Sequence, residues 1–417
     1  MRTRAALPLV LLLLAGASVA GPTPEEAAAA SPAPITIALI SSLTGPSAPE
    51  TASSPAGFNA RIALQNAEGG VDGHKLVPLV LDDQTSPTQV ATAVKDALSR
   101  GALGIVSASP LFFLAAKYPE MQHVPVTGSY TDGQEWGEQP YTNMFASDLG
   151  SLNPTLPVNT LEGKILKEFG GSVLGAYGYS ISPSSSREAL ATTRSFERAG
   201  GSEGVLDTSL PFGGMDFTSE ALVAKQHHVN ALFPTMIDAS NVALARALKQ
   251  AGVQIKAAVF ATGYDYSVIH SPVWPYLRGD YFLSIYRPFS VPDAGTRQMQ
   301  AALQRYQHFS AGQFPTLFQY ESWAGADLMI KGLQLAGPHP TQAAVIKDLR
   351  GLTSYDAGGL LPKPIDYATV FGHDPPEQCV WVLRADANGY VPVGTQPVCG
   401  TDIPGTSTVS SASSSAG

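Results

Sequence analysis

Residues Ile35 to Pro46, ITIALISSLTGP, form an apolar run that stops in a turn of hydroxyl residues, glycine and proline. A second apolar run, LVPLVLDD, ends at Asp82-Asp83 and is followed by QTSP. Between them, FNARIALQNAEGGVDG puts Phe58, Ile62, Ala63 and Ala67 on one helical face, and Gly69-Gly70 ends it. The order strand, loop, helix, strand is a βαβ unit, and parallel strands need such a crossover. Ligands of open parallel sheets bind at the carboxyl ends of the strands. The first loop therefore offers Ser41, Ser42 and Thr44 as candidate contacts.

The alternation continues. Ser86-Pro87-Thr88-Gln89 has the form of a capping box with proline at the first helical position. Val90, Val94, Ala97 and Leu98 then make a buried stripe that stops at Gly101. GALGIVSASP and HVPVTGSYTDG repeat the pattern of a strand followed by a hydroxyl-rich loop. It restarts at Ser172 with the strand SVLGAYGYS, a helix from about Ser185 to Ala199, the strand NALFPT, a helix with Leu244, Ala247, Leu248 and Ala251 on one face, and the strand AAVFATG. Two doubly wound α/β lobes with parallel sheets are expected, since about 365 residues exceed what one core usually serves. Further on, LRGDYFLSIYRPF reads as extended and YESWAGADLMIKGLQLAG as a helix with Trp323, Ala326, Ile330 and Leu333 inward.

Residues 1–20, with Arg2, Arg4, an apolar run and Ser18-Val19-Ala20, read as a secretory signal. Ala17 stands where a lipid-anchoring cysteine would have to be, so an exported protein, periplasmic or extracellular and not inserted in the membrane, is expected. Residues 21–34 are rich in Ala and Pro and 401–417 in Ser, Thr and Gly, as in a flexible linker and a disordered tail. The formal charge is -9 with 25 Lys and Arg against 34 Asp and Glu, which disfavours a nucleic-acid partner. The two cysteines are Cys379 and Cys399. A turn at Asn388-Gly389 pairs Ala387 with Tyr390 and brings Cys379 opposite Val398, with Pro392 and Pro397 loosening the register. A structural disulfide is expected in an exported chain, unpaired thiols being the alternative.

No signature of a nucleophile elbow, zinc protease, phosphate loop or dinucleotide fold occurs in a fitting context, so neither catalysis nor a cofactor is expected. His227-His228 are adjacent on a helix and point apart, which does not make a metal site. Asp82 and Asp83 read as structural groups before the Ser86 helix.

LTGP (Leu43 to Pro46), GGVDGHKL (Gly69 to Leu76), DDQTSP, DFTSEALVAK (Asp216 to Lys225), RALKQAG (Arg246 to Gly252) and the helix from Tyr320 to Gly337 run in one order along the chain. In this series the sequence resembles the type I periplasmic binding proteins, above all the leucine/isoleucine/valine receptors of ABC transporters. The resemblance implies two lobes joined by three crossings, near Asn143–Ala146, Ser284–Pro288 and Gly351–Gly359. Residues 35–145 plus 287–352 would form the N-terminal lobe and 146–286 plus 353–400 the C-terminal lobe. It implies a monomeric clamp that closes on a small amino-acid-like or carboxylate-bearing solute and hands it to a permease; a sensor using the same clamp is the alternative, and a hydrolase the most remote one. Carried over, the ligand contacts would be Ser107, Ser109, Ser129, Tyr130 and Thr131 for an anionic end, with Tyr177, Tyr179, Asp238 and Asp265 from the second lobe. One of the two tyrosines would face the cleft and the other pack, and Asp265 could instead cap a helix. The sequence departs from the family where Glu50 stands for an aromatic residue and Ser182 for a tyrosine. Both departures argue against a plain branched-chain aliphatic ligand.

Overall fold

The computed structural model describes residues 1, 32–129, 136, 141–148, 157–370 and 377–406. The signal, most of the linker, and the candidates Tyr130 and Thr131 lie outside the described residues. The first sheet contains β1 (Ile35–Ser41), β2 (Leu76–Asp82), β3 (Ala102–Ala108), β4 (Val126–Gly128) and β5 (Met144–Ala146) in the order β2-β1-β3-β4-β5, every pair parallel. The second contains β6 (Val173–Tyr179), β7 (Ser202–Leu210), β8 (Ala231–Thr235), β9 (Ala257–Phe260) and β10 (Tyr281–Ser284) in the parallel order β7-β6-β8-β9-β10. Antiparallel β11 (Glu377–Ala385) extends it, and β12 (Tyr390–Pro392) and β13 (Val398–Thr401) both pair with β11. Each sheet therefore reverses its winding once, between β1 and β3 and between β6 and β8. In open α/β sheets a ligand crevice opens at such a reversal.

Helices Ala294–Gln307 and Leu317–Ala336 pack on helix Pro55–Ala67, far back in sequence. The contact explains why the buried face of Pro55–Ala67 is Gly57, Phe58, Ala60, Ile62 and Gln65, while Ala67 is exposed. A Cβ on Gly57 would stand 1.9 Å from the Gln319 carbonyl oxygen, so only glycine permits this approach. Leu317–Ala336 in turn is buried nearly all round, which the inward stripe of Trp323, Ala326, Ile330 and Leu333 understated. Its start is a capping box of Thr316 and Gln319. The one expected at Ser86 is absent: Ser86 is the N-cap residue, but its hydroxyl meets that of Thr88 at 3.2 Å.

The hairpin near the end differs in register from the expectation. Ala385, not Ala387, pairs with Tyr390, because the Asp386 carboxylate accepts the N–H groups of Asn388 and Gly389 and makes a wider turn. Between β12 and β13 the chain slips past Pro397, and Cys379 comes directly opposite Cys399. The two are joined as a disulfide. Residues 401–406, expected as part of a disordered tail, are ordered. Thr401 belongs to β13, the Ile403 N–H donates to Val158 O at 2.8 Å, and the Thr406 hydroxyl accepts from the Val158 N–H at 2.9 Å.

Residues at and beside the segments expected as crossings are bonded to one another, while Met144–Ala146 itself is β5 of the first sheet. The Arg287 N–H donates to Leu360 O at 2.7 Å, the Tyr367 hydroxyl donates to Ala146 O, and the Tyr286 hydroxyl donates to Asp148 at 3.2 Å. Tyr286 stacks on Tyr320 at 5.4 Å between centroids, and the Tyr320 hydroxyl reaches Arg287 O.

Candidate functional site

The carboxyl ends of β1 and β3 present the first candidates. Asp82 accepts the N–H groups of Leu43 and Thr44 and the Thr44 hydroxyl, at 2.9, 3.2 and 2.7 Å, which ties down the turn after β1. Burial tends to raise the half-buried Asp82, and those bonds together outweigh it and hold the group below its ordinary range. Asp83 is buried, accepts the Ser42 hydroxyl at 2.6 Å and the Ser109 hydroxyl, and also takes the Thr85 N–H at 2.9 Å. The structure thus brings Ser42 and Ser109 together on an anion, and that anion is the chain's own carboxylate. Ser107 is buried beside them, its oxygen 3.5 Å from the Ser109 N–H. The Ser129 hydroxyl, at the end of β4, donates to Glu321 at 2.9 Å. The bonds of Ser42 and Ser109 to Asp83 and of Ser129 to Glu321 are not visible from spacing, because each partner comes from a different part of the chain.

In the second lobe the two tyrosines separate. Tyr177 is buried inside the lobe, its ring against Gly175 and Val229, and burial followed by the charges of Asp207 and Glu220 raises its hydroxyl above the ordinary range. Tyr179 stands at the crevice between β6 and β8. Its hydroxyl donates to Ser240 at 2.8 Å and accepts the Ile237 N–H at 3.2 Å, its ring lies 4.8 Å from Phe212, and burial pushes it up to about 12. Ser182 caps helix Pro183–Arg198 by accepting the Ser185 N–H.

Asp238 begins helix Asp238–Gln250, directly after β8. Burial pushes it up to about 6, with the charge of Asp265 adding and the Thr262 hydroxyl opposing. Its Oδ1 is buried with no hydrogen-bond donor among the described residues. Asp265 is buried as the N-cap of helix Tyr266–Ile269, accepting the Ser267 N–H at 2.6 Å, and burial raises it too. It is a cap, and it also adds charge to the crevice.

The lobes meet at this point. Glu50, on the short helix Ala48–Thr51 after β1, is only 5% exposed, and its Oε2 accepts the Asp238 N–H at 2.9 Å. Burial first, and then the charges of Asp238 and Glu321, raise Glu50 well above the usual carboxylate range. A second contact between the lobes is aromatic. The Tyr264 ring, after β9, stacks at 4.6 Å on Phe314, which precedes helix Leu317–Ala336, and Tyr390 closes edge-on at 5.2 Å from Tyr264. Sequence reasoning missed both Tyr264 and Phe314, whose pairing depends on how the lobes are hinged. Its hint was the aromatic density of ATGYDY. Among the described residues no group of three or more His, Cys, Asp or Glu is placed to hold a metal ion.

Each sheet reverses its winding once, and the Glu50–Asp238 bond and the Tyr264–Phe314 stack join the two lobes. The sequence pattern of the periplasmic binding protein family matches residues 34–390. The chain belongs to that family. Solved structures share its fold at low identity. A fatty acid ABC transporter substrate-binding protein from Thermomonospora curvata is 18% identical, covers 87% of this chain and 92% of its own, and superposes with a TM-score of 0.67. An R. palustris solute-binding protein solved with benzoate is 13% identical, with coverages of 88% and 97% and a TM-score of 0.70. The branched-chain amino acid transporter substrate-binding protein of Streptococcus pneumoniae, solved with isoleucine, is 14% identical, with coverages of 88% and 99% and a TM-score of 0.68. No curated protein sequence matches this binding protein. No described helix is long and apolar enough to cross a membrane.

Proposed function

We propose that this chain is an exported, monomeric receptor of an ABC importer that closes on a small amino-acid-like solute and delivers it to the permease. The family and the transporter neighbours support the role. The observation that carries the ligand class is the acidity of the seam. Glu50, Asp238 and Asp265 gather at the crevice, and Asp238 Oδ1 is a buried acceptor without a donor among the described residues. A ligand ammonium group supplies the missing donor and the opposite charge, whereas a solute that is only a carboxylate supplies neither. Its carboxylate needs no basic side chain, since amide-rich turns and helix N-termini provide the field. Glu50 stands inside the seam rather than in solvent, so a plain aliphatic side chain would desolvate a carboxyl group without pairing it.

A thermal-shift screen tests this reading, because a ligand of the closed state raises the melting temperature with the logarithm of its excess over Kd. Polar or cationic amino acids are expected to stabilise the protein more than leucine, isoleucine or valine. Stabilisation by benzoate or fatty acids alone, or micromolar binding of leucine, would overturn it.

A further inference from the structure

Glu50 and Asp238 belong to different lobes and are bonded to each other. Glu50 follows β1 and Asp238 follows β8, so the bond from the Asp238 N–H to Glu50 Oε2 spans the clamp at its two winding reversals. Helix Ala48–Thr51 packs on both Asp238–Gln250 and Leu317–Ala336, which fixes what surrounds Glu50. We infer that Glu50 and Asp238 form a proton-gated latch that holds the empty clamp closed while Glu50 is neutral and releases it when Glu50 ionises.

Among the described residues, the acidic groups that act on the pair are carboxylates, which repel an ionised Glu50 or Asp238. Glu321 approaches Glu50 from Leu317–Ala336 and Asp238 from its own helix, with the neutral Tyr179 hydroxyl from β6 nearby. Asp238 faces Asp265 from the start of Tyr266–Ile269, and the Thr262 hydroxyl. An ionised Glu50 in the closed seam is therefore buried among carboxylates, with a backbone N–H at a helix start as its favourable partner. A neutral Glu50 keeps that N–H bond through its carbonyl oxygen and loses the repulsion. Opening the lobes returns the side chain to water, where ionisation costs nothing extra.

The sign follows from proton linkage. Glu50 binds its proton more tightly closed than open, so closure takes up a proton. The closed form is favoured at or below the ordinary carboxylate range and is lost as pH rises through the raised closed-state value. Asp238, raised to about 6, acts in the same direction between its ordinary range and that value. Between the open-state and closed-state values, the open-to-closed ratio grows by about tenfold per unit of pH. The latch concerns the empty protein, so it stands or falls independently of the solute proposed above.

Small-angle scattering of the solute-free full chain between pH 5 and 9 reads the device directly. The wild-type radius of gyration is expected to increase as pH rises. Glu50→Gln keeps an oxygen for the Asp238 N–H but has no proton to lose, so it should remain compact across the range. Asp238→Asn retains the backbone donor and removes a carboxylate that repels the ionised Glu50, so it should open less than the wild type at a given pH. Melting curves at pH 5 establish that each variant is folded. A wild-type radius that does not change, a Glu50→Gln protein that opens like the wild type, or an Asp238→Asn protein that opens more readily than the wild type would each overturn the latch.

Discussion

The ring of Tyr264 lies flat on that of Phe314, 4.6 Å between centroids and 10° between planes, although the two flank opposite sides of the seam. Tyr266 adds an edge-on contact to Phe314 at 5.4 Å, and Tyr390 packs against Tyr264, Trp274, Phe282 and Phe314. The seam is therefore held at one place by an acid pair and at another by an aromatic stack.

Truncation of the stack should loosen closure without unfolding either lobe. Such ring pairs contribute about 0.5–1.5 kcal/mol beyond their buried area. Phe314→Ala is expected to raise the radius of gyration of the empty protein at pH 5 and to weaken solute binding by a comparable amount. A variant with wild-type radius and wild-type affinity would show that the stack plays no part in closure.

The disulfide ties β11 to β13 across a sequence separation of 20. In the chain-entropy account a loop of that size contributes about 3 kcal/mol. Thiol titration of the denatured, unreduced protein should find no free cysteine, and reduction should release two and lower the melting temperature. Equal melting temperatures before and after reduction would place the bridge outside the cooperative unit.

Ser109→Ala removes a buried donor from Asp83. Leaving a buried acceptor without its partner costs about 1–3 kcal/mol, and here the loss should appear in urea denaturation of the solute-free protein. If only solute affinity falls and stability does not, Ser109 faces the ligand instead.

Gly57→Ala drives a Cβ into the Gln319 carbonyl oxygen of the facing helix. Backbone cannot rotate away as a side chain can, so the helices must separate, at a cost of about 1–3 kcal/mol. Wild-type stability of this variant would mean that the two helices sit farther apart than described.

Acidity should also affect overall folding. Glu50 and Asp238 are both raised in the folded protein, so their contribution to stability is complete below the ordinary carboxylate range and declines as pH rises, for Asp238 through about 6. Glu50→Gln should remove the Glu50 part of that decline, measurable as a flatter profile of urea midpoint against pH between 5 and 8. An unchanged slope would show that Glu50 is not raised in the fold.

Much of the fold was legible because its signals are local. An apolar run ending in Ser, Thr and Gly announces a parallel strand at Ile35–Ser41, and period-3.6 stripes announce the helices between strands. Asp238 and Asp265, offered by the resemblance, stand at the start of one helix and as the cap of another. The roles of Ser42, Ser109 and Ser129 were not legible, since their acceptors Asp83 and Glu321 arrive from other parts of the chain. Tyr177 and Tyr179, two apart, would share one face of a regular strand, and an irregularity between them in the pairing of β6 with β7 separates their roles.

By itself the sequence determined the alternation of strand and helix, the two-lobed class, the family and the cysteine pair, all of which depend on short-range periodicity and residue chemistry. Tertiary structure alone decided the register that sets Cys379 opposite Cys399, the approach that only Gly57 allows, and the bond between Glu50 and Asp238. Those depend on distances between segments more than a hundred residues apart, or on turns where proline and an aspartate carboxylate compete with simple pairing. Such distances are fixed by the packing of whole elements, and no single stretch of chain contains them.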